Sequence, residues 1–414
     1  MKRLLYLLII LAVAGAVVLA GFFLRYRNEP VAPSPAEEMA GEELPAPELA
    51  PTETSGGATA EMPPAPASPS EPVLLGDGLR ILYQNPVFAL APAPNGGVLV
   101  MGIDGAVAAV RDTAATLSPT PIAELQKALF SAGGVKALAL FGDRTAPQAG
   151  VFDVASKTWQ PFPFSIIDAA WSPNDSRAAY LARQNSGAVV LGVLDLANAK
   201  AKPQELLRAR FADITLAWPL PDLIFLQERP SAAVPARAWI FDMKKKMLAP
   251  FAEEQRGLAV RWPAPAGASG PPGEWLAFAA GDAGRGGRLY LVSPQGTIRE
   301  ELTFLTLPQK CASFGGGAAP KAASAAPSSA PATLICAVPR DADTLNVSAL
   351  PDAYWKRALF TEDVFLMINL ATGATRTLFD DAARPLDADM LAVSGDTLYF
   401  INRYDQKLYS LQIK

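Results

Sequence analysis

From Val73 onward the apolar residues come in short runs broken by Gly, Pro, Asn and Asp. Runs of roughly four to eight residues bounded in this way mark strands rather than helices. Two segments depart from the pattern. Pro121–Phe130 places Ile122, Leu125 and Leu129 on one helical face, and a helical turn is expected near Tyr354–Leu359. Everything else predicts an all-β domain, whether sandwich, barrel or propeller.

Two patterns recur along the chain and separate these architectures. The first is best preserved over Ala170–Ala182, where a strand ends on Trp171, a Pro173-Asn174-Asp175 turn follows, and a second strand returns through Tyr180. Pro sets one backbone dihedral, and Asn and Asp tolerate left-handed backbone, so the turn is strongly specified. Weaker copies place an aromatic residue at Phe141, Trp218, Trp262 and Phe314. The second pattern is a pair of apolar residues, a polar residue, a turn and another strand. Its polar residue is Asp153, Asp195, Asp242, Ser293 and Asn369, at spacings of 42, 47, 51 and 76. One unit therefore holds four antiparallel strands in about 45 residues, which is a propeller blade.

Seven blades are expected, with six or eight as alternatives, at 85–119, 133–164, 166–209, 212–252, 257–302, 303–380 and 386–414. The last has only three strands of its own. Leu79–Tyr83, a free strand ahead of the first blade, is expected to supply the outer strand of the final blade and close the ring. Closure of this kind hides sheet edges.

The segment Trp171-Ser172-Pro173-Asn174-Asp175-Ser176-Arg177-Ala178-Ala179-Tyr180 resembles the W-S-P-D-G-x-x-[IL]-[AV]-[FY] repeat of TolB-like, WD-repeat-like β-propellers. The resemblance implies the first hairpin of a blade, with the aromatic packed between blades and the turn at a rim. Asn174-Asp175-Ser176 departs from the usual D-G. Lys310-Cys311, Cys336–Pro339, Pro351–Trp355 and Asp363–Asn369 are similar to segments of uncharacterised membrane-anchored bacterial propellers. That likeness implies no activity.

The N-terminal sequence changes the picture of organisation. Leu4–Leu24 is an uncharged apolar run flanked by Lys2, Arg3, Arg25 and Arg27. Its 21 residues match the ~20 needed to cross a bilayer core. Residues 1–27 are therefore read as an uncleaved single-pass anchor. A secretory signal peptide is the alternative, although its small-residue triplets, such as Ala14-Gly15-Ala16, fall inside the run. Residues 28–72 hold eleven prolines and nine glutamates and no Lys, Arg or aromatic residue. Such a segment is expected to be a disordered, extended tether between the membrane and the 73–414 propeller domain.

Charge and composition then exclude several chemistries. The first 27 residues carry four positive charges and the tether nine negative ones, which leaves 73–414 near neutral within a total of −4. No basic stripe recommends nucleic acid as a partner. The 414 residues include no histidine, which removes the commonest general base and metal ligand. The only cysteines, Cys311 and Cys336, are too few for a thiolate zinc site. They are placed at the end of the first strand and within the second strand of blade 6. A disulfide is expected there in preference to two buried thiols, and it points to an oxidising compartment.

Trp171, Trp218 and Trp262 share a register that argues for packing between blades. Trp355, with Tyr354 beside it in the 339–362 insert, is the better candidate for a ligand contact. The pairs Asp341/Asp343, Asp380/Asp381 and Asp387/Asp389 are read as turn-forming, solvated aspartates in preference to a glycosidase pair or a calcium site. Lys244-Lys245-Lys246 is read as a polar rim. No catalytic residue, metal ligand or cofactor is expected.

The expectation is a membrane-tethered, extracytoplasmic propeller acting as a non-catalytic binding or scaffold module for envelope proteins, peptides or glycans. The alternative is a carboxylate-based glycan hydrolase or lyase. An enzyme should gather two or more acidic residues with an Arg or Tyr in one funnel.

Overall fold

Blade 3 shows how the repeated sequence becomes structure. Asp168–Trp171, Arg177–Arg183, Val189–Asp195 and Gln204–Ala209 pair antiparallel in that order, with Trp171 opposite Ala178 and Ala178 opposite Leu194. At the first turn Asp175 adopts φ +59°, a left-handed conformation that Asp tolerates. Ser172 Oγ accepts the Arg177 N–H at 3.0 Å. The turn between the third and fourth strands explains the second sequence pattern. Asp195 Oδ1 accepts the Ala197 N–H, and Asp153, Asp242, Ser293 and Asn369 cap the equivalent turns through the N–H groups of Ser156, Lys244, Gln295 and Ala371. Each side chain stands in for a backbone acceptor, which is why the position is always short and polar.

The computed structural model describes residues 72–198, 200–211, 213–262, 275–280, 286–314, 333–346 and 349–413. The expected anchor (1–27), nearly all of the expected tether (28–72) and the low-complexity insert after Phe314 lie outside these residues. Among the described residues no helix is long and apolar enough to cross a membrane. The described residues all belong to one compact unit.

Seven sheets form an all-β, seven-bladed propeller. Six have four strands, spanning Val87–Ser118, Leu125–Pro161, Asp168–Ala209, Ile214–Arg256, Ala259–Glu301 and Cys311–Phe379. The seventh is formed by Ala388–Ser394, Thr397–Asn402 and Leu408–Gln412, and it is completed from the other end of the domain. Leu79–Tyr83 pairs with Leu408–Gln412, with Leu79 opposite Leu411, and Val73–Gly76 adds a fifth strand outside it. The expected closure is therefore present, one strand larger than the sequence implied. The Val87 N–H donates to the Gln406 carbonyl at 2.8 Å and ties blade 1 to blade 7.

Blade 2 corrects the helix expected over Pro121–Phe130. Leu125–Phe130 is the inner strand, paired with Lys136–Phe141. An isolated ten-residue helix is marginal, and the neighbouring strand offers the same backbone a full ladder of partners. The blade consequently begins before residue 133, and its first-turn aromatic is Phe130 rather than Phe141, which ends the second strand. Ser131 Oγ accepts the Val135 and Lys136 N–H groups, as Ser172 accepts that of Arg177.

The core lies between blade faces. Trp171 packs with Leu138, Val151 and Tyr180, and its indole N–H reaches the Leu129 carbonyl at 2.9 Å. Trp218 packs among Leu191, Ile224 and Phe241, and Trp275, outside the repeat register, is buried against Phe225 and Phe251. Cys311 opens its strand instead of ending it. It lies opposite Cys336, with Cα atoms 4.1 Å apart, and the two form a disulfide. Loop-closure entropy across 25 residues puts its contribution at about 3.5 kcal/mol.

Candidate functional site

The loops joining second to third strands, and those joining one blade to the next, share one face of the ring. On that face the blade 6 insert between Pro339 and Asp363 folds into two short helices, Asp343–Asn346 and Asp352–Trp355. The second accounts for the helical turn expected near Tyr354. Its Asp352 Oδ2 accepts the Ala232 N–H from a blade 4 loop at 2.6 Å, so the insert is fastened across the face.

Beneath the insert lies a buried ionic network. Lys310, at the end of a 3₁₀ turn that leads into Cys311, is 1% exposed. Its three ammonium protons meet Asp363 Oδ1 at 2.9 Å, Asp387 Oδ1 at 2.8 Å and Thr361 Oγ1 at 2.6 Å. Asp363 Oδ2 also accepts the Ala388 N–H at 2.7 Å. Asp387 Oδ2 is held by the Arg403 guanidinium and the Thr361 N–H. Arg403 donates further to the carbonyls of Leu359 and Tyr354, and its guanidinium lies 3.6 Å from the centre of the Tyr354 ring. Two cations thus answer two carboxylates. Burial pushes the Asp363 carboxyl up from its ordinary range, and the nearby Asp387 adds to this while Lys310 opposes it. Burial likewise holds the Tyr354 phenol well above its usual value.

Asp387 therefore corrects the reading of all three acidic pairs as solvated. Its side chain is fully buried, a state that needs the paired cations it has. The other pairs behave as expected. Asp341 accepts the Asp343 N–H, Asp381 accepts that of Ala383, and Asp380 pairs with Arg340 on the surface.

Next to the network a pocket of about 220 Å³ opens between the insert, blade 7 and blade 1. Tyr354, Trp355 and Arg357 come from the insert, Phe88 from blade 1, and Asp389, Met390, Arg403 and Gln406 from blade 7. The sequence candidates Tyr354 and Trp355 thus meet at one pocket. Trp355 is 40% exposed, and Tyr354 forms a buried wall. A register shift follows Asp389, and Met390 is held at φ +52°, with Arg357 at +55°. Two non-glycine residues in left-handed backbone at one pocket is the sort of local strain that collects at ligand sites. Asp389, on the inner strand of blade 7, is half-buried. Burial pushes its carboxyl up, against the opposing Lys310, Arg403 and Arg261 charges.

Lys310, Thr361, Asp363 and Arg403 escape sequence reasoning because each is an isolated polar residue in its own segment. The Asp387/Asp389 pair was their only trace. A second, wider pocket of about 1130 Å³ lies over blades 1 and 2 and the segments that follow them, lined by Ile122, Phe141, Trp159, Phe162 and Phe164 among others. Trp159 there donates to Ser118 Oγ at 2.9 Å. Among the described residues no three carboxylates or thiols are gathered as a metal site.

No family model and no curated protein matches the chain. Solved structures do. An oligogalacturonate lyase from Vibrio parahaemolyticus is 11% identical over 84% of this chain and 96% of its own, with a TM-score of 0.54. The tricorn protease is 12% identical over 84% of this chain, with a TM-score of 0.47, and this chain spans about a third of its length (34%). A putative TolB from Agrobacterium tumefaciens is 12% identical over 57% of this chain and 90% of its own, with a TM-score of 0.37. These likenesses are distant and show the propeller fold alone.

Proposed function

We propose that this chain is a non-catalytic binding or scaffold module of the cell envelope, membrane-tethered and extracytoplasmic, with the pocket beside Trp355 as its recognition surface. The carrying observation is how the acidic residues are used. Asp387, Asp389, Arg403 and Tyr354 do gather in one place, as the hydrolase or lyase alternative requires. Asp363 and Asp387, however, have their oxygens occupied by Lys310, Thr361, Arg403 and backbone N–H groups. A general acid or base must reach the proton it transfers. Among the described residues Asp389 is the one carboxylate that lines the pocket, so a paired-carboxylate mechanism lacks a second member there. The likeness to oligogalacturonate lyases, at 11% identity, supports the scaffold and not the chemistry.

The Cys311–Cys336 disulfide supports placement in an oxidising compartment. The length of Leu4–Leu24 supports the anchor. The test is a photo-crosslinking residue placed at position 355 in intact cells, with one at the exposed Met247 position on blade 4 as a control. A discrete adduct from position 355 and none from 247 is expected. No adduct, or the same adducts from both, would remove the pocket as the recognition surface.

A further inference from the structure

Within the blade 6–7 network each carboxylate oxygen of Asp363 and Asp387 accepts a hydrogen bond. Asp389 differs. Its Oδ1 takes the Met390 N–H at 2.9 Å, and among the described residues its Oδ2 takes none. The other charges nearby are largely answered. Lys310 serves Asp363 and Asp387, Arg403 serves Asp387 and two carbonyls, and Arg261, which donates to the Gln309 carbonyl at 2.6 Å, faces Asp389 as a counter-charge but, among the described residues, makes no hydrogen bond to it. A negative group with an unused acceptor thus lines a pocket walled by the exposed Trp355 and by Met390 and Phe88.

We propose that this pocket receives a lysine or arginine side chain of a partner polypeptide, its cationic head on Asp389 and its stem against Trp355 and Met390. The proposal rests on the binding reading above and names the ligand class. Size supports it, because about 220 Å³ falls below the ~300 Å³ at which ordinary small-molecule sites begin and suits a single side chain. The walls support it too. An exposed indole attracts a cation over its face, and a thioether adapts to an aliphatic stem. Arg357, exposed at the mouth, favours a partner that carries an acidic residue beside the basic one.

The test is ¹⁹F NMR of the full chain labelled with 5-fluorotryptophan, with the Trp355 signal assigned by Trp355→Phe. The probes are N-acetylated, C-amidated tetrapeptides: Gly-Lys-Glu-Gly, the same peptide with norleucine for lysine, and Gly-Glu-Glu-Gly. A saturable shift of the Trp355 signal by the lysine peptide is expected, with at least about tenfold weaker binding of the other two. Asp389→Asn should weaken the lysine peptide by about the same factor while leaving the remaining tryptophan signals in place, and Asp389→Glu should restore part of it. Equal binding of the norleucine peptide, unchanged binding by Asp389→Asn, or no shift with any peptide would overturn the proposal. A position-355 adduct in cells combined with no cation preference would overturn the ligand class and leave the binding module standing. Loss of that adduct would remove both.

Discussion

Lys310 Nζ lies 2.8 Å from Asp387 Oδ1, and neither side chain reaches solvent. The two residues are 77 positions apart, one just ahead of the inner strand of blade 6 and the other just ahead of that of blade 7. Their contact joins adjacent blades at the face that carries the pocket. Asp387 also holds Arg403, on whose guanidinium plane Tyr354 stacks, so the wall of the pocket is positioned through this pair.

Replacing Lys310 with Met should therefore be costly. It would leave Asp363 and Asp387 buried without their shared cation, a loss of about 3–5 kcal/mol. Adding Asp363→Asn should recover part of that loss by removing one of the stranded charges. Urea unfolding of the full chain measures both changes. A Lys310→Met midpoint shift no larger than that of the surface change Lys246→Met would refute the network as described.

Ring closure predicts an asymmetry between two deletions. Removing 73–83 takes away Leu79 and Leu82, both buried, and bares the edge of Leu408–Gln412. Each leucine contributes about 2–3 kcal/mol by burial, and the lost strand pairing adds to this. A melting temperature lower by roughly 10 °C is expected, since each kcal/mol moves a large domain by a few degrees. An eleven-residue deletion within 28–72 should leave it unchanged. Equal melting temperatures for the two truncations would end the closure argument.

Acid should expose the contribution of Asp153. The Ser156 N–H, and after it the Lys136 ammonium, hold its carboxyl down at about 2 in the folded chain. A carboxyl lowered on folding gives stability that is present above its unfolded pKa and lost as pH falls toward the folded one. With screening at this partly exposed site, the contribution is about 1 kcal/mol. Asp153→Asn should therefore be less stable than the parent at pH 7, and the gap should narrow from about pH 4 and vanish near pH 2. A gap independent of pH over that range would show that the lowered carboxyl is not its source.

The sequence by itself determined the blade. Strand alternation, the Ser172-type first turn and the Asp195-type third turn are made by residues within a few positions of each other, so their signature is written locally and repeats. The closing strand and the disulfide were legible for a different reason, because their partners are distant in the chain but leave no competitor. An incomplete last blade and a single cysteine pair on neighbouring strands each leave one partner available.

Tertiary structure alone decided the rest. Leu125–Phe130 carries a helical pattern, yet it is a strand, because Lys136–Phe141 supplies a ladder of partners that a short helix lacks. Asp387 looks like a solvated turn residue and is instead fully buried. Whether a carboxylate is solvated depends on which cations the fold delivers to it. Here Lys310, Thr361 and Arg403 arrive from three segments, 77, 26 and 16 positions away. Electrostatic partners at such separations leave no periodic mark on the chain, and only the closed ring brings them within hydrogen-bonding distance.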